Sequence, residues 1–419
     1  MKKYRTILQA TLYGVVNFFI IVLVNKVSDL PVVAGNWEWK AALLANFQNP
    51  NDNFYPPGAA ILLIPFLGIK PHYELVIYFY FTFSAVIYYL ICTKVINNKL
   101  YLYLALSALT LNPYLLWLVN SSLDIVYELF LLLSGFALIL SRKILLSYLP
   151  LYLLCLTRPA YWPCFLILPL VAKYFQVKNK NNVLISKKLL AIPFLFLLIT
   201  LSINQIMFKS PAIAGEAGMT LHYGHHKFWY LAMPKFDSDV FLNLGGNMDT
   251  KKFLKNTDKF SNIKDEEYRA ALISITENPK SLVLNTLQKA DTYFFAVQKN
   301  PQLSGKYYLS PDQKSIVISS NRDSWPLIFG SVFYFIHRIL LLIFAIAAAT
   351  LVIALPIFRK ILTNNPVILF FVPFLFGSIP ALLVTTETRM KIVSELLLFP
   401  LIAAVFDNFR IQKNKLSEQ

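Results

Sequence analysis

Charge is what this chain has least of. Only 15% of its 419 residues are charged, against roughly 25% in ordinary globular domains. With 57% hydrophobic residues and a mean hydropathy of +0.54, that shortage predicts an integral membrane protein with several spans. Cysteine is also scarce. Cys92, Cys155 and Cys164 all fall in apolar segments and read as packing residues rather than a disulfide framework. Cys-x-x-Cys spacing does not occur, which removes the commonest cysteine-based zinc pattern. The sequence shows no internal repeat or low-complexity tract. Matching halves would mark an inverted-repeat transporter, so their absence argues against that class. A cleavable leader is not expected either. The first apolar run follows Lys2, Lys3 and Arg5 without a small-residue cleavage site and reads as a permanent helix.

The chain does have long apolar runs: Ile7 to Val24, Leu75 to Cys92, Leu189 to Phe208 and Ile339 to Ile357. The net charge of +17 invites a nucleic-acid reading, but the basic residues fall mostly in short segments between those runs. Lys94 and Lys99, Arg142 and Lys143, Lys173 to Lys188, Arg359 and Lys360, and Arg410 to Lys415 can all lie on one side of a membrane, which is the positive-inside pattern. No nucleic-acid partner is expected.

The expected fold is an all-α polytopic membrane protein of about ten transmembrane helices, with one larger extracytoplasmic soluble segment. Three divisions follow: a transmembrane module over 1–208, an extracytoplasmic segment over 209–325, and further helices with a tail over 326–419. Spans are expected near 5–25, 73–93, 100–118, 124–141, 189–208, 328–358, 366–384 and 391–406, with 144–172 broken into two short helices at Thr157-Arg158-Pro159. In the soluble segment, Tyr268, Leu272 and Ile275, then Leu282, Leu284 and Leu287 beyond Pro279, recur at helical spacing. The chain is expected in the inner, cytoplasmic membrane with both termini cytoplasmic.

Polar residues then collect on one face. Glu38 lies in Gly35-Asn36-Trp37-Glu38-Trp39-Lys40, with Asp29 and Asp52 in the same loop. Asp124 and, one turn on, Glu128 follow Asn120-Ser121-Ser122. Arg158, Glu387, Arg389 and Lys391 come from later turns, and His222, His225 and His226 from the large segment. Carboxylates can take a proton from an acceptor hydroxyl or amine. Arginines hold phosphates by forked, charge-assisted bonds.

In order and spacing the pieces resemble the GT-C superfamily of polytopic glycosyltransferases, the branch of protein O-mannosyltransferases and aminoarabinose transferases. The resemblance is carried by Asn36-Trp37-Glu38 with Tyr55-Pro56-Pro57-Gly58, by Asp124 after Asn112-Pro113, by Leu156-Thr157-Arg158-Pro159, by Tyr268-Arg269 to Glu277-Asn278-Pro279, and by Glu387-Thr388-Arg389. It implies a membrane glycosyltransferase moving a sugar, with inversion, from a polyprenyl-phosphate-linked donor to a glycan, lipid or protein acceptor. Glu38 and Asp124 would be catalytic. Arg389, Arg158 and Lys391 would hold the donor phosphate. Asn36, Tyr55, Glu387, His225 and His226 would contact substrate. Some relatives use a divalent metal, though no dedicated ligand set stands out here. The chain departs from the pattern at Asn36, where the family carries aspartate, leaving Glu38 or Asp29 as the base.

Plainer readings stand beside these. Glu38 between two tryptophans suits an interfacial anchor, Asp124 suits a helix cap, and Arg158 suits capping or snorkelling at the proline break. Glu387 and Arg389 suit a local ion pair, and the histidines a metal site or a solvated loop. A secondary transporter or lipid flippase, a catalytically inactive scaffold, and a surface-polysaccharide polymerase or ligase are the alternative functions.

Overall fold

The computed structural model describes residues 2–28, 35–46, 57–69, 72–178, 187–208, 217–225, 257–263, 266–277, 279–295, 306–309, 316–319, 369–383 and 391–417, with isolated positions between them. The chain forms two compact units. Unit 1 takes Met1–Ile213, Ile343–Gly377 and Ile392–Gln419; unit 2 takes Ala214–Leu342 and Ser378–Lys391.

Unit 1 is built on helices α1 (Lys2–Ser28), α2 (Gly35–Ala45), α3 (Gly58–Leu63), α4 (Glu74–Val95), α5 (Lys99–Thr110), α6 (Pro113–Ser121), α7 (Leu123–Leu140), α8 (Ile144–Thr157), α9 (Trp162–Lys178), α10 (Lys187–Leu190) and α11 (Ile192–Phe208). Its centre is the row α1, α4, α7, α8, each packed against the next. Gly14 lets α1 approach α4, since a methyl group there would stand 2.5 Å from Val86 Cγ2. Between α4 and α7, Tyr80 meets Tyr127 edge to face at 5.0 Å, the arrangement that ring quadrupoles favour. Phe81, Tyr88, Tyr127, Leu132 and Phe136 are fully buried here.

Local sequence sets the ends of these helices. Asn98 accepts from Leu100 N at 2.9 Å to open α5. Asn112 accepts from Leu115 N at 3.1 Å to open α6, with Pro113 at the first helical position, where its missing N–H costs nothing. The expected single helix over 100–118 is therefore two, bent by 41°.

The expectation of about ten spans is corrected. Among the described residues, three helices are long and apolar enough to cross a membrane, Tyr4–Val27, Glu74–Val95 and Leu123–Leu140; the bent α5–α6 pair makes a fourth if counted as one span. Among the described residues, the other apolar helices are shorter. Helix α8 ends after 14 residues at the Arg158-Pro159 break. Helices α9 and α11 have 17 residues each. The expected helix over 366–384 is α15 (Phe371–Leu383), with 13. The last expected span is α16 (Ile392–Leu396) followed by α17 (Leu398–Ser417), and α17 runs into Asp407, Arg410, Lys413 and Lys415. Most of 328–358 lies outside the described residues. Apolar letters accumulate along this chain faster than uninterrupted helix does.

Helix α1 keeps its apolar character on the outside. Leu8, Leu12, Phe19 and Leu23 are all more than half exposed.

Unit 2 contains α12 (Ala217–His225), α13 (Glu266–Glu277), α14 (Pro279–Phe295) and an antiparallel hairpin of β1 (Lys306–Leu309) and β2 (Ile316–Ser319), Tyr307 opposite Ile318. The hairpin makes unit 2 mixed α and β. Helix α13 buries Ala270 and Ile273 against Leu254. Helix α14 buries Asn285, Lys289 and Tyr293 on one face, whereas Val283, Leu284 and Leu287 are exposed. The periodicity of Leu284 and Leu287 was a sound sign of helix but a poor guide to its inner face.

Candidate functional site

In unit 1 the polar groups meet where α7 begins and α8 ends. Proline forces the preceding residue out of helical geometry, so Arg158 adopts extended backbone, φ −135° and ψ 97°, and closes α8. A short 3-10 turn, Pro159–Tyr161, follows and leads into α9. Opposite, Ser122 is the N-cap residue of α7. Asp124 lies in the first turn and Glu128 one turn later on the same face.

Arg158 bridges the two carboxylates. Its Nη2 lies 2.7 Å from Asp124 Oδ2 and its Nε 3.2 Å from Glu128 Oε2. Tyr161 donates its hydroxyl to the other oxygen of Glu128, at 2.6 Å. Ser122 donates to Asp124 Oδ1. Like charges one turn apart destabilise a helix by a few tenths of a kcal/mol; here one guanidinium between them reverses the sign. The cluster is layered. The Glu128 side chain is 2% exposed and that of Arg158 21%, with Asp124 between them at 13%. Glu128 and Tyr161 form the buried support; Arg158 and Asp124 are the more exposed side chains, although the Arg158 Nη2 atom between them is itself buried.

The turn is braced from α3. A methyl group on Gly58 would stand 2.5 Å from Thr157 N and Leu156 C, so Pro57-Gly58 and Leu156-Thr157-Arg158-Pro159, far apart in sequence, meet in space. Behind Ser122, Asn25 at the end of α1 donates to Asn120 Oδ1 at 2.8 Å.

Of the residues singled out in the sequence, Asp124 and Arg158 come together here. Asn36 and Glu38 lie in the first turn of α2, which packs on α3; α3 in turn packs on α7 and α8. His225 and Lys391 belong to unit 2, where both are buried. Tyr55, His226, Glu387 and Arg389 lie outside the described residues. Glu128 stood in the sequence as a lesser companion of Asp124, although its spacing of four was the signal for a shared face. Tyr161 went unnoticed because its role exists only through the fold.

Unit 2 holds a second polar group. His222, fully buried on α12, has Nδ1 3.2 Å from Glu267 Oε2 on α13. Burial pushes its pKa down, with Glu267 acting against that shift. His225 donates from Nε2 to the Leu383 carbonyl at 2.8 Å. Burial and then the Lys289 charge push it down to about 4. Burial also pushes Lys289, on α14, down to about 7. Among the described residues, no group of three or more His, Cys, Asp or Glu side chains could hold a metal ion.

No family model, curated protein or solved structure matches the chain. The resemblance to GT-C glycosyltransferases is therefore corrected. Short motifs drawn from an apolar, aromatic-rich chain reproduced a family's order without its architecture: of about ten expected spans, three or four are found among the described residues. The glycosyltransferase assignment goes with it. So do the transferase activity, the polyprenyl-phosphate-linked donor, the glycan, lipid or protein acceptor and the membrane-lipid partners, together with the ten-span inner-membrane placement and its cytoplasmic termini.

Proposed function

We propose that the chain binds a small oxyanion, a carboxylate or phosphate, at Arg158, and that Asp124 is the internal counter-ion the ligand replaces. One observation carries this reading. The guanidinium is held through Nε by a buried carboxylate that Tyr161 holds in turn, while its Nη2 edge meets the more accessible Asp124. A guanidinium fixed from behind keeps its planar fork ready for two parallel bonds to an oxyanion. Glu128 stays on Arg158 Nε in the resting state and in the bound state. Asp124 is the exchangeable partner, because its side chain reaches water with less rearrangement than that of Glu128.

Isothermal titration of the full-length protein with inorganic phosphate and with acetate tests this. Arg158→Gln should abolish binding. Asp124→Asn should strengthen it about tenfold, equivalent to about 1.4 kcal/mol of competition removed. Weaker binding in Asp124→Asn would mean that Asp124 contacts the ligand. Unchanged binding in Arg158→Gln, or no binding of either anion to the wild type, would remove the proposal.

A further inference from the structure

Along α14, Asn285 and Lys289 are buried together with Tyr293, while Val283, Leu284 and Leu287 are exposed, an unusual place for a lysine. Helix α14 packs on α12 and α13. His225 is 7% exposed. It donates from Nε2 to the carbonyl of Leu383, the last residue of α15. That bond fixes the tautomer: the proton sits on Nε2, and Nδ1 carries the lone pair. Nδ1 is buried and makes no hydrogen bond among the described residues.

Other groups around it define what a second proton would meet. Helix α14 brings the Lys289 ammonium near enough to act on the imidazole charge. Helix α13 offers its carboxylate, Glu267, to His222, one turn back along α12. The end of α15 supplies the Leu383 carbonyl. A proton on Nδ1 would thus put a second cation beside Lys289 in a water-poor interior, where like charges repel strongly.

We propose that His225 is a proton-operated latch: neutral, it ties α12 to the end of α15, and protonated, it is driven away from Lys289 and releases α12. A residue that is neutral in the closed form and titrates normally in the open form makes opening favourable in acid. The closed form holds His225 at about 4, against an ordinary value of about 6.5. Between pH 7.5 and pH 5.0 the opening equilibrium should rise about thirtyfold. At pH 5.0 Lys289 is protonated, so the repulsion is in force. The latch and the oxyanion reading of Arg158 stand or fall separately.

Hydrogen–deuterium exchange of α12 in the full-length protein, corrected for intrinsic rates, tests the latch at the two pH values. The expected result is a loss of protection approaching thirtyfold at pH 5.0. His225→Gln keeps an amide donor for the Leu383 carbonyl but cannot titrate, and should lose far less protection at pH 5.0 than the wild type. Lys289→Met removes the repelling charge and should shrink the loss. Equal protection of the wild type at both pH values overturns the proposal, as does an acid loss in His225→Gln matching the wild type. If His225→Gln does not fold at pH 7.5, the imidazole resonances of wild-type His225 decide. The Nε2–H neutral tautomer must persist in the protected state at pH 5.5; a charged imidazole in fully protected α12 would sink the latch.

Discussion

Gly58 and Thr157 are in direct backbone contact: a methyl group at the Gly58 α-carbon would lie 2.5 Å from the Thr157 nitrogen and 2.5 Å from its Oγ1. Nothing at that distance is a flexible side-chain end that could swing away except the hydroxyl. Gly58→Ala should therefore push α3 off the turn and move Arg158 with it. The expected cost is about 1–3 kcal/mol, the usual range for overpacking, with weaker anion binding. Urea denaturation measures the first and titration with phosphate the second. Full stability with full binding in Gly58→Ala would show that this contact does not position the site.

Arg158 joins two carboxylates that would otherwise face each other one turn apart. Arg158→Met should destabilise the protein by about 3–5 kcal/mol, because it leaves Asp124 and Glu128 partly or wholly buried without their cation. Adding Glu128→Gln should recover a large part of that loss, and adding Asp124→Asn a smaller part, in proportion to how deeply each is buried. The three unfolding free energies form a double-mutant comparison. If Glu128→Gln makes Arg158→Met worse, the buried pair is not what the loss reflects.

The meeting of these residues was half legible in the sequence. Arg158-Pro159 announced a helix end, and Asn120 to Asp124 a helix start, since proline and short polar side chains act locally. That the two ends face each other depends on α7 packing against α8, which no local signal carries. Span number was misread for a related reason. Hydropathy reports whether a stretch is apolar, whereas Asn112-Pro113 and Arg158-Pro159 decide whether it is one helix. In unit 2, α14 followed the helical period of Leu284 and Leu287, yet its buried side is Asn285, Lys289 and Tyr293. Periodicity finds a face, but the partner decides which face turns inward.

Asp407, buried on α17, caps the turn between α4 and α5: its Oδ2 accepts from Asn97 N at 2.6 Å and Asn98 N at 3.1 Å. Asp407→Ala would strand two backbone donors in a part-buried place, at about 1–3 kcal/mol for each buried group left unsatisfied. Asp407→Asn keeps one carbonyl acceptor and should cost less. Thermal unfolding of the two variants gives the ranking. Equal melting temperatures for Asp407→Ala and wild type would mean that the turn finds other acceptors.

Lys289 sets a second pH dependence, at the alkaline end. Its folded value of about 7 lies below the ordinary lysine value of about 10.4. A group depressed on folding binds fewer protons folded than unfolded, so stability rises with pH across that window. The contribution is fully present above about 10.4 and is lost as pH falls towards about 7, a span worth about 3–5 kcal/mol. Unit 2 should therefore resist urea better at pH 9.5 than at pH 7. Hydrogen exchange in α14, corrected for the intrinsic rate, reads the change locally. Lys289→Met carries no titrating group and should flatten the slope. A wild-type protein equally stable at both pH values, or a slope that survives in Lys289→Met, would assign the buried lysine a charge that some neighbour already balances.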